Sequence, residues 1–91
     1  MKIRRAGLLA LALLLAPAVR AAERTETFAV QGWHSKGDAY KTELALRGVK
    51  GVTNVVSDKD KATVTVTYDD AQASRAKLEK AIADAGYSVG R

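Results

Sequence analysis

The six residues Thr63-Val64-Thr65-Val66-Thr67-Tyr68 alternate polar and apolar without a break. Successive side chains of a strand point to opposite faces, so this run describes a strand with one covered face and one wet face. Its β-branched content suits a pleated, half-buried surface. An antiparallel sheet covered on one side only meets that demand, with Val64, Val66 and Tyr68 inward and the threonines facing solvent.

The flanking segments supply the other layer. Thr25 to Val30 alternates in the same way, with Phe28 and Val30 inward. Ala39, Thr42, Leu46 and Val49 then recur at helical spacing, and Gly48 is a helix stop if it takes up the left-handed conformation open to glycine. Gly51-Val52 opens another strand through Val55 and Val56, whose phase the sequence leaves open. Ser57-Asp58-Lys59-Asp60-Lys61 reads as a polar turn, and Asp69-Asp70 ends the strand that follows. Ser74 suits the N-cap of a second helix with the stripe Leu78, Ala81, Ile82 and Ala85, stopped at Gly86. Tyr87-Ser88-Val89 is a short last strand. The order β-α-β-β-α-β predicts an α+β fold, the ferredoxin-like sandwich, with two helices on one face of a four-stranded antiparallel sheet.

Residues 1–21 read as a secretory signal peptide and residues 22–91 as the folded domain. Lys2, Arg4 and Arg5 form a basic start, Gly7 to Val19 is apolar, and Val19-Arg20-Ala21 places small residues for a cut after Ala21. A membrane span needs about 20 apolar residues, more than this run has. The expectation is a periplasmic or secreted protein with no membrane span after cleavage. Gly7 stands where a twin-arginine signal has a hydrophobic residue, so Arg4-Arg5 does not settle the export route.

The whole chain carries 15 basic and 10 acidic residues, net +5. Lys2, Arg4, Arg5 and Arg20 leave with the signal, and the remaining eleven basic residues against ten acidic give net +1. The high pI therefore belongs to the targeting segment and points to no nucleic-acid partner. RNA recognition on an open sheet face uses aromatic side chains, and this face shows threonines. The chain has no cysteine, so neither disulfides nor a lipid anchor stabilise or tether the small domain.

The chemistry converges on Gly32-Trp33-His34-Ser35-Lys36-Gly37-Asp38, where strand gives way to helix. The first N–H groups of a helix are unpaired, and this turn holds the only Trp and the only His. His34 reads as a metal ligand or as a solvated loop residue. Asp38 reads as a ligand or as a first-turn carboxylate facing the helix dipole. Ser35 reads as a weak ligand or as a helix cap. Trp33 reads as a lid over helix and sheet edge, and with Tyr40 and Leu44, four apart on a second helix face, as a protein-binding patch.

With Gly32, Gly51-Val52, Val64 to Asp70 and Leu78 to Gly86-Tyr87 in these places, the chain resembles the heavy-metal-associated domain family over about Thr25 to Val89. The resemblance implies metal-ion binding or carriage at a Gly-Met-Thr-Cys-x-x-Cys motif, and no enzymatic role. Aligned on Gly32, Trp33 and His34 occupy the Met and Thr positions, and Ser35 and Asp38 the two Cys positions. Thiolates select soft ions; an imidazole and a carboxylate suit divalent Cu, Zn or Ni. Two such ligands fall short of the four of a tight structural site. The expectation is weak divalent binding through His34, Asp38 and Ser35, or a metal-independent interaction module. Acyl-phosphate hydrolysis on this topology is disfavoured, because the turn offers Lys36 where such enzymes place an arginine, and no nucleophile is paired with a base.

Overall fold

The computed structural model describes residues 22–90; the signal-peptide segment lies outside the described residues. The elements are β1 (Glu23–Gln31), α1 (Lys36–Arg47), β2 (Val52–Asp58), β3 (Thr63–Asp69), α2 (Arg75–Asp84) and β4 (Ser88–Val89). They form a four-stranded sheet in the order β2-β3-β1-β4, with each neighbouring pair antiparallel. This is the ferredoxin-like arrangement expected from the element order.

The central pair β1 and β3 sets the two faces. Phe28 lies opposite Val64 and Glu26 opposite Val66, while Thr25 faces Thr67 and Thr27 faces Thr65. Phe28, Val30, Val64, Val66 and Tyr68 are buried against Leu46 of α1 and Leu78 and Ile82 of α2. Each large aliphatic side chain taken from water contributes about 1.5–3 kcal/mol, and this single cluster supplies most of the stabilising burial. On the other face the threonines pair across strands, with Oγ1 atoms 3.1 Å apart for Thr25–Thr67 and 3.0 Å for Thr27–Thr65. The hydroxyls satisfy one another there without a second layer.

The uncertain phase of β2 resolves through an irregularity. Val52 pairs with Tyr68 and Asn54 with Thr67, so one extra residue is absorbed between them. This bulge turns Val55 into the core opposite Val66 and leaves Val56 exposed.

Both helices start on serine, Ser35 and Ser74, whose side chains accept from the N–H groups of Asp38 and Lys77. Their ends differ. Gly48 caps α1 with φ −78°, a right-handed conformation, so the left-handed stop expected there does not form. Its N–H still bonds the Leu44 carbonyl, and Val49 continues by bonding Leu46, which turns its side chain onto the core. Gly86 does adopt the left-handed region, φ +102°. Gly86 N–H bonds Ala83 O at 2.9 Å and Tyr87 N–H bonds Ile82 O at 3.2 Å, the Schellman pattern that ends a helix on glycine. The turn delivers Tyr87 beside the β1–α1 loop.

At the opposite end of the sheet, Glu26 sits half-buried on the core side. It accepts from the Tyr68 hydroxyl and pairs with Arg75, whose guanidinium lies 4.6 Å from the Phe28 ring centre. The Tyr68 and Arg75 donors together hold the Glu26 carboxyl below its ordinary pKa. α2 is thereby anchored to β1 at its first residue.

Candidate functional site

The β1–α1 loop leaves the sheet at Gly32, whose φ of +108° is closed to most side chains. A Cβ there would come within 3.2 Å of Tyr87 Cδ1, so the glycine also makes room for the tyrosine ring. Beyond it, Trp33 folds back onto the core, half-buried, and its indole Nε1–H donates to Thr42 Oγ1 at 2.8 Å. Thr42, fully buried in α1, donates its own hydroxyl hydrogen bond to the Asp38 carbonyl at 3.0 Å. The one polar side chain in the α1 stripe is thus satisfied on both sides.

Asp38 is the hub of the loop. Its Oδ2 accepts from the main-chain N–H of His34 at 2.7 Å, and its Oδ1 accepts from the Tyr87 hydroxyl at 2.7 Å. The first contact resembles the returning half of a capping box, displaced by one residue toward the strand. The Tyr87 hydrogen bond, and after it the His34 N–H, hold the Asp38 carboxyl below the usual carboxylate range. The same bond pushes the Tyr87 phenol up to about 12. Lys41 lies over the Tyr87 ring, with Nζ 5.7 Å from its centre, which adds a cation to the anion below.

Of the residues singled out in the sequence, Ser35 takes the cap position and Asp38 lies in the first turn of α1. His34 is exposed and meets Asp38 through its main chain. Among the described residues no three His, Asp or Glu side chains converge as a metal cage. Tyr40 and Leu44 remain exposed on α1, whereas Trp33 is drawn inward to the core, which divides the apolar patch the sequence had suggested. The sequence pattern put Thr42 in the core stripe and Tyr87 in the last strand, which begins instead at Ser88. Their polar partners were signalled only by a lone threonine in an apolar stripe and by a tyrosine directly after a helix-ending glycine.

The fold and the loop define the class: a ferredoxin-like sandwich with a hydrogen-bonded polar loop at the first strand-to-helix junction. The heavy-metal-associated domain model matches residues 27–88. The chain is 46% identical over 79 residues to the mercuric transport protein periplasmic component of Shigella flexneri, covering 87% of this chain and 86% of that one. It is 42% identical over the same length to the protein of that description from Pseudomonas aeruginosa. Among solved structures it is similar to oxidized MerP from Ralstonia metallidurans CH34, with a TM-score of 0.73 and 36% identity over 76% of this chain and 96% of that one. It is similar as well to a CopZ metallochaperone, with a TM-score of 0.71 and 30% identity over 74% of this chain and 100% of that one. This chain belongs to the heavy-metal-associated domain family.

Proposed function

We propose that the chain is an exported, non-enzymatic metal-ion-handling member of this family that binds a divalent ion weakly and exchangeably at His34 and Asp38. Export is supported by the N-terminal pattern and by the periplasmic relatives it resembles. The soft-ion grip of the family motif is gone, because the chain has no cysteine. The observation that carries the divalent reading is the Asp38 carboxylate, held charged at the loop by Tyr87 and set beside the residue that bears the only imidazole. Each Asp38 oxygen already accepts one hydrogen bond, so coordination competes with the loop's own contacts and affinity stays low. Ser35, committed to its cap, adds at most a neutral oxygen.

Calorimetric titration with Cu(II), Ni(II) and Zn(II) tests this reading. Binding should vanish in His34→Ala and weaken in Asp38→Asn. Heats equal to buffer for every ion would end it. The second reading, metal-independent docking of a protein, draws on Tyr40 and Leu44, which are 59% and 51% exposed on one helix face. It makes Tyr40→Ala, rather than His34→Ala, the damaging variant.

A further inference from the structure

Ala22 is tied to the far end of β3 at two points. Its N–H donates to Asp70 Oδ1 at 3.0 Å, and its carbonyl accepts from the Asp70 N–H at 2.9 Å. The other Asp70 oxygen accepts from Arg24 Nε at 2.7 Å. The charged groups at this corner are Glu23 and Arg24 on β1, and Asp69 and Asp70 at the end of β3. Glu23 and Asp69 are register partners, as are Arg24 and Tyr68, and Asp70 above all, with a smaller part from Glu26, favours the cationic form of Arg24. The sequence pattern puts the signal-peptide cut between Ala21 and Ala22.

From these two observations we propose that the cut creates an ion pair: the new α-ammonium of Ala22 is born against the Asp70 carboxylate and clasps β1 to the end of β3. A signal peptidase adds one water across the Ala21–Ala22 peptide bond. Ala21 leaves with the water oxygen as its carboxylate, and the Ala22 nitrogen keeps the electron pair of the broken bond and takes up both protons of the water. Before the cut that nitrogen is an uncharged amide with a single hydrogen. Afterwards it is a cation with three, already within hydrogen-bond distance of an anion. The site of cleavage matters. A cut one residue earlier moves the charge away from Asp70, and a cut one residue later removes Ala22 with both of its hydrogen bonds. The proposal rests on the export reading and is independent of the metal reading.

The test uses the exported product purified from the periplasm of an expressing bacterium. Intact mass should show a chain that begins at Ala22. Competitive acylation across pH, read by mass spectrometry on the N-terminal peptide, should give an α-amino pKa above the ordinary value of about 7.7–8.0 by about half a unit to one unit. That corresponds to a deprotonated fraction about three- to ten-fold lower at neutral pH. Asp70→Asn should return the amine to the ordinary range. Arg24→Gln should raise it further, since the competing cation is gone, a response that a merely structural contact would not give. A chain that stays uncut in the cytoplasm and never reaches the periplasm overturns the proposal together with the export reading. A product that begins elsewhere overturns the clasp. A chain that begins at Ala22 with an ordinary amine, unmoved by Asp70→Asn, overturns the ion pair and leaves export standing.

Discussion

Thr42→Val isolates the polar link beneath the loop. The substitution keeps the branched shape but removes the acceptor for the Trp33 indole N–H, 2.8 Å away, and the donor to the Asp38 carbonyl. That carbonyl retains its main-chain helical bond, so the orphaned group is the indole N–H. Leaving a buried donor unpaired costs about 1–3 kcal/mol, and Trp33 is only half-buried, so the lower end applies: about 1 kcal/mol. In a domain of this size that lowers Tm by about 4–8 °C. Thr42→Ser, which keeps the hydroxyl, should lose less to polarity and more to packing. The decisive assay is a double-mutant cycle with Trp33→Phe, read by urea unfolding followed by circular dichroism. Replacing both partners by apolar groups is nearly neutral, so in the Trp33→Phe background Thr42→Val should cost no more than about 0.3 kcal/mol, a coupling of roughly 0.7 kcal/mol. Equal costs in both backgrounds would show that Thr42 does not serve the indole, and the account of the loop's anchoring would fail.

Tyr87→Phe removes the hydroxyl that holds Asp38 ionised, so the Asp38 carboxyl should titrate nearer the ordinary range by carbon-detected NMR. The Asp38 contribution to stability is present above its unfolded pKa and disappears as pH falls through the depressed folded value. The Tyr87 phenol has the opposite sign. Its contribution is complete below the unfolded value of about 10 and is lost as pH rises toward the folded value of about 12, so the wild type should lose alkaline stability in that window and Tyr87→Phe should lose less, the remainder coming from Tyr68, which Glu26 also holds above its ordinary value. Gly32→Ala forces a side chain into a left-handed turn and against the Tyr87 ring, and thermal melts should show a loss of about 1–3 kcal/mol. Ser35→Cys with Asp38→Cys should create Cu(I) binding, detectable in a chelator competition; a folded double variant that binds no better would show that the loop backbone departs from the family geometry.

The regular parts of the fold were legible because each obeys one period. Alternation identified β1 and β3, helical spacing identified α1 and α2, and serines marked both helix starts. Two features escaped because they depend on partners distant in sequence. The phase of β2 is set by a bulge against β3, which no local pattern records. Gly48 and Gly86 both follow a helical stripe, but only Gly86 leads straight into the last strand, and only there does the left-handed turn form. The site was half visible. The loop and its side chains could be named, and Ser35 could be read as a cap. The binding of Asp38 to Tyr87 crosses 49 residues of chain and required the sheet to bring β4 beside β1.

The Schellman turn at Gly86 has a consequence for how this chain tolerates substitution. It makes the end of α2 the mounting point for the residue that braces the first loop. Residues 38 and 87 therefore answer to substitution together, joined by a helix terminus rather than by proximity in the chain. A thiol at position 38 would take away the acceptor of the Tyr87 hydroxyl and leave the ring its packing against the core. A side chain at position 86 that cannot hold the left-handed turn would draw the phenol away from Asp38 with position 38 itself untouched.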